Sequence, residues 1–116
     1  MNAHREMLIK LYQMFNARDI DGVLAHLHTD VSWPNGWQGG WLHGHDEVRD
    51  YWTRQWRELD PHVEPVGFDI DEAGRVVVHV HAVIRDMSGA VVMDGQLDHV
   101  YTIEDHVVRA MEIRPA

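Results

Sequence analysis

The sequence predicts an α+β fold in which three N-terminal helices pack on one face of a curved antiparallel sheet with a concave interior. Three observations carry this reading. Apolar residues recur at helical spacing in two early segments and again over 46–59. From Val63 onward the chain changes to valine-rich runs of strand character. Short polar turns separate those runs, so consecutive strands form an antiparallel meander.

Met7, Leu8, Leu11, Met14 and Phe15 recur in three- and four-residue steps and predict a first helix over 3–17, with Tyr12 beside the apolar stripe. Asp19 is a fitting N-cap for a short second helix whose face is Ile20, Val23, Leu24 and Leu27. His26 and His28 near its end suit solvent or the negative helix terminus. Val31–Trp33 reads as a short strand with both named residues on one side. All five tryptophans fall within 31–56. Pro34 and Gly36, then Gly39 and Gly40, break helical hydrogen bonding and place Trp37 and Trp41 on a loop. Such rings between elements suggest the wall or lid of an apolar pocket. A plug at the open end of a core, or the cover of a dimer interface, uses the same residues.

A third helix is predicted over 46–59 from the stripe Val48, Tyr51, Trp52, Trp56 and Leu59, with Asp46 and Glu47 suiting its positive first turn. Asp60-Pro61 stops it. Strands follow over 63–70, 75–85, 91–103 and 107–114, with Gly95 marking a bulge or a close approach.

At 116 residues and 13.5 kDa the chain reads as a single domain over 1–116 with one core. A formal charge of -9 argues against a general affinity for nucleic acid or anionic membrane, both of which want a basic patch. The absence of cysteine excludes a disulfide framework, a thiolate nucleophile and a zinc knuckle. The N-terminus MNAHREMLIK has no signal-peptide run, and no apolar stretch is long enough to span a bilayer. A soluble, cytoplasmic protein is the expectation.

The ten histidines hold the candidate chemistry. His79 and His81 share one strand face, and Val76, Val78, Val80 and Ala82 form the other. Turned inward, the two histidines would cluster with His99; the apolar row costs less to bury, which favours turning them outward. On the next strand Leu97, His99, Tyr101 and Ile103 form the more apolar face, so His99 is placed inside. Asp94 and Asp98 then face outward as solvated or dimer-contact residues; turned inward, either would orient an imidazole. His43 is placed at the pocket mouth beside Trp41, and His45 in solvent in the first turn of the third helix. His79-x-His81 followed by Asp86 resembles a metal-binding pattern, but a match of two histidines is weak, and no metal ligand is assigned.

The segments FNARDIDGVLAHLHTDVSW, HGHDEVRDYW and HVYTIEDHVVRAMEI, in this order, resemble the SnoaL-like branch of the nuclear transport factor 2-like superfamily, which includes ketosteroid isomerase. The resemblance implies a cone-shaped sheet with the helices on its concave face, small apolar molecules in the cone, and homodimers through the outer sheet face. It covers enzymes and non-enzymes, so fold does not fix activity. The isomerase's carboxylate base is missing at Trp33-Pro34-Asn35, and its second acid falls near Asp98 or His99. In the last hairpin Asp105-His106 replaces the usual Asp-Gly, a change histidine tolerates at positive φ.

The expected function is cofactor-independent acid/base chemistry, of isomerase, cyclase, dehydratase or hydrolase type, on an apolar or aromatic metabolite. His99 is the candidate proton carrier. Tyr12, Trp33, Trp37, Trp41 and Trp52 would line the pocket with His43 at its mouth, while Tyr101 and Asn35 hydrogen-bond a substrate oxygen. The alternatives are a non-catalytic ligand-binding or dimerisation module and, third, a histidine-bound metal.

Overall fold

The computed structural model describes residues 2–116, with side chains from His4 onward; the reading of the N-terminus begins at Met1, which lies outside them. The elements run α1 (Asn2–Asn16), α2 (Ile20–Leu24), β1 (Leu27–Pro34), β2 (Trp41–His43), α3 (Gly44–Glu58), β3 (Leu59–Ile70), β4 (Val76–Asp86), β5 (Val91–Glu104) and β6 (Val107–Pro115). The strands form one curved, unclosed sheet in the order β2-β1-β6-β5-β4-β3. All neighbours are antiparallel except β1 and β6, which run parallel. Among the described residues no helix is long and apolar enough to cross a membrane.

Alternation sorts the long strands into faces. Val76, Val78, Val80 and Ala82 are buried on the concave side of β4, whereas His79 and His81 between them are only partly covered. Each fully buried valine there contributes on the order of 1.5–3 kcal/mol relative to exposure. The register pairs Val78 with His99, Val80 with Leu97 and Val76 with Tyr101, which puts the inner rows of β4 and β5 side by side. The helices cover this face. Leu8, Leu11 and Tyr12 of α1 and Val48, Tyr51 and Trp52 of α3 are buried against it.

Three local readings are corrected. Leu27 continues the apolar spacing of α2 but opens β1; the helix ends at its C-cap Ala25, and the His26 carbonyl then accepts from Val108 at 2.8 Å. Trp41 lies on a short strand rather than a loop, paired with Pro34. The irregularity in β5 falls between its Met93 and Val91 pairings, at Val92, while Gly95 stays in register opposite Ala82. That pair of small residues leaves the hollow open instead of bending the strand.

Candidate functional site

The concave face and the helices enclose a cavity of about 690 Å³. Its wall is largely aromatic, and the helical stripes explain why. Tyr12 and Phe15 come from α1, one turn apart, and Tyr51, Trp52 and Gln55 come from α3. Trp33 projects from β1, and Trp37 from the turn beyond it. Trp33 meets Trp52 edge-on with ring centroids 5.6 Å apart, and Phe15 meets Trp52 likewise at 5.5 Å. Glu112 is the one acidic residue at the wall, with its carboxylate held by Arg75 at 3.0 Å and Arg114 at 2.6 Å, and among the described residues no lysine or arginine lines the cavity.

At the floor, three polar side chains form one buried chain. The Tyr12 hydroxyl lies 2.7 Å from His99 Nδ1 and 2.7 Å from the Tyr101 hydroxyl. The Tyr12 and His99 rings are stacked, 5.9 Å apart and 18° from parallel. Burial lowers the His99 pKa to about 4, against a smaller opposing pull from the Asp98 charge, so the imidazole is neutral near pH 7. Burial also raises the Tyr12 and Tyr101 hydroxyls above the ordinary phenol value, so both stay protonated. The chain is therefore uncharged and continuously hydrogen-bonded from His99 Nδ1 to Tyr101 inside a buried site.

Seven of the nine sequence-selected residues line this one cavity: Tyr12, Trp33, Trp37, Trp41, Trp52, His99 and Tyr101. Trp41 is more than half exposed and stands at the edge. Asn35 and His43 are not brought to it. The Asn35 Oδ1 accepts from the backbone N–H groups of Trp37 at 3.3 Å and Gln38 at 2.8 Å, closing the turn that carries Trp37. His43 is exposed on β2, where register pairs it with Ser32 on the convex side. His45 is tied down rather than solvated: its Nε2 lies 2.8 Å from the Leu27 carbonyl. Tyr51 and Gln55 were missed as site residues. Gln55 stands four residues after Tyr51 and three after Trp52, a polar residue inside an apolar stripe, and that was the available signal.

The convex face holds the two histidines of β4. His79 lies between Asp98, 2.7 Å from Nδ1, and Asp69, 2.7 Å from Nε2. Hydrogen bonds to Asp69, then to Asp98, raise its pKa. His81 Nε2 meets Asp94 at 2.6 Å. Asp94 and Asp98 thus orient outer imidazoles and not His99. Among the described residues no group of three or more histidine and acidic side chains has the arrangement to hold a metal ion.

The profile of the SnoaL-like domain family matches residues 8–111. A structure of an NTF2-like protein of unknown function from Burkholderia pseudomallei is similar at 26% identity and TM-score 0.84, covering 100% of this chain and 92% of that one. TerC, co-crystallised with polyporic acid, is similar at 26% identity and TM-score 0.83, covering 98% and 92%. A putative polyketide cyclase from Pseudomonas putida shares the fold at 16% identity and TM-score 0.81, covering 95% and 89%. No curated protein matches the chain in sequence.

Proposed function

Because the chain belongs to the SnoaL-like domain family, we propose that it binds a small apolar or aromatic molecule in the cone and moves protons on it without a cofactor. The carrying observation is the Tyr12 hydroxyl, 2.7 Å from both His99 Nδ1 and the Tyr101 hydroxyl. Nδ1 is engaged, which leaves Nε2 of His99 as the ring nitrogen for a ligand.

A neutral imidazole held near pKa 4 is a weak base on its own, and an imidazolium in this cavity is costly. The hydrogen-bonded chain removes that cost. A carbon-bound substrate proton passes to Nε2 while the Nδ1 proton moves to the Tyr12 oxygen. The Tyr12 proton moves to the Tyr101 oxygen, and the Tyr101 proton passes to the substrate oxygen. A ketone becomes its enol and no charge is left on the protein. Enolisation of this kind is the first step of isomerisations and of cyclisations in which the enol carbon attacks a second carbonyl. The co-crystal of TerC with polyporic acid supports small-molecule binding by a similar chain. We place self-association of two copies on the convex sheet face, where a groove of about 380 Å³ is lined by Ser32, Trp41, His43, Arg75 and Glu112; sedimentation as a monomer would remove that assignment.

Deuterium uptake at the α-carbon of 1-tetralone in heavy water, followed by NMR, tests the proton chain. Wild-type protein is expected to accelerate exchange, with a loss of about 100-fold or more in His99→Gln and Tyr12→Phe. Saturable binding of the ketone with no acceleration discards catalysis and leaves a ligand-binding module.

A further inference from the structure

A second polar group faces the same cavity from α3. Gln55 is 8% exposed, yet it lines the hollow. Its Nε2 donates to the Tyr51 hydroxyl at 3.2 Å. Among the described residues the one buried side-chain polar atom sealed without a partner is Trp56 Nε1. Among the described residues no donor reaches the Gln55 Oε1, so it opens on the cavity beside it. Burial raises the Tyr51 phenol, against the opposing backbone N–H of Trp37 and the Gln55 amide, so Tyr51 keeps its proton. Its oxygen already accepts from Gln55, which leaves the O–H as a donor. The pair therefore presents one acceptor and one donor to the hollow, both costly to leave unmet.

Among the described residues no hydrogen bond joins this pair to the His99–Tyr12–Tyr101 chain. Indoles separate them. Trp33 lies 6.4 Å from the Tyr101 ring and 5.6 Å from that of Trp52, the neighbour of Tyr51. A ligand that satisfies both polar groups must lay a flat apolar body along those rings. It must also be uncharged, since no cationic side chain lines the wall to pair with an anion and an unpaired charge among these rings is costly to bury.

The geometry points to Tyr51 and Gln55 as a distal anchor, and to a ligand that is an uncharged aromatic or polycyclic molecule with a hydroxyl or carbonyl at each end. This rests on the reading that the cone is a ligand site. The neutral fluorophore N-phenyl-1-naphthylamine reports on the cavity, and its displacement by 4,4′-dihydroxybiphenyl, 4-hydroxybiphenyl and biphenyl-4-carboxylate reports on the anchor. In wild-type protein the dihydroxy compound is expected to bind about tenfold tighter than the monohydroxy one, and the carboxylate at least about tenfold weaker. Gln55→Leu is expected to shrink the dihydroxy advantage to about twofold. The double variant Tyr51→Phe/Gln55→Leu removes both partners at once, leaves no orphaned group and is expected to do the same. An unchanged ratio in the double variant, with the fluorophore still bound, overturns the anchor alone. A carboxylate as tight as the phenol overturns the uncharged class. A wild-type protein that fails to bind the fluorophore overturns the ligand reading along with the anchor.

Discussion

Asn16 holds both backbone groups of Val63: its Nδ2 donates to the Val63 carbonyl at 2.8 Å, and its Oδ1 accepts from the Val63 N–H at 3.0 Å. β3 is an edge of the sheet, so here a side chain satisfies groups that no further strand covers. Asn16 also lies one helical turn beyond Tyr12 and on the same face of α1. The two-point bond therefore sets where the Tyr12 hydroxyl sits above His99. Asn16→Ala is expected to cost about 2 kcal/mol, two net hydrogen bonds, as a lower urea midpoint at constant slope. It is also expected to move the His99 ring resonances; unmoved resonances would leave Asn16 with stability alone.

Gly22 looks like a site for helix stabilisation, since glycine in a helix usually costs about 0.5–1 kcal/mol relative to alanine. The surroundings reverse the sign. An added Cβ would stand 2.4 Å from Asp19 Oδ2 and 2.6 Å from Met14 Sδ. Asp19 is the N-cap, and its Oδ1 accepts from the Gly22 N–H at 3.0 Å, so it cannot retreat without losing the cap. Gly22→Ala is expected to destabilise by about 1–3 kcal/mol in chemical denaturation. A stabilised variant would mean that Asp19 swings away freely.

The parts of this protein that were legible are those set by local repetition. The valine row of β4 favours its own inner face, the more apolar row of β5 favours the face with His99 and Tyr101, and the register sets these two rows side by side. What escaped depends on partners distant in sequence. Leu27 extends the helical spacing of Ile20, Val23 and Leu24, and only pairing with β6, 81 residues on at Val108, makes it a strand. Trp41 becomes a strand residue only because β1 is there to pair with it. His45 carries no mark in the sequence of the Leu27 carbonyl that engages it, whereas Asn35 is a local turn residue, bonded to amides two and three residues on, whose turn role was readable and was passed over for a substrate role. Gln55 was overlooked because a polar residue on a charged helix reads as solvent-facing until its neighbours are known to be buried.

The hairpin between β5 and β6 stores a small strain. Asp105 and His106 both adopt the left-handed region, at φ of 51° and 66°. This geometry matches the twist of the flanking strands, and glycine fits its second position best. Each non-glycine residue there costs about 1–2 kcal/mol, and histidine reduces that only in part. His106 is exposed, so its ring gives little back. His106→Gly is therefore expected to raise stability by about 0.5–1 kcal/mol, read as a higher denaturation midpoint. A loss instead would show that the ring makes a contact worth more than the backbone strain.

Two histidines give the stability profile opposite slopes in pH. His99 falls from the ordinary 6.5 to about 4 in the folded chain. Between those values the unfolded state takes up a proton that the folded state refuses, so stability falls as pH drops from 6.5 towards 4. With the group buried, the loss is on the order of 3 kcal/mol. His79 is raised by Asp69 and then Asp98, so its contribution is present in full below the unfolded value and is lost as pH rises through the folded one. Its ring is well exposed, and that decline is shallow. His99→Gln is expected to flatten the acid limb, and His79→Gln to remove the shallow loss on the alkaline side. Denaturation at pH values of about 8.5, 7, 5.5 and 4 measures both. An acid limb as steep in His99→Gln as in wild type would mean that another group carries it, and that the imidazole beneath Tyr12 takes up its proton as readily as one in water.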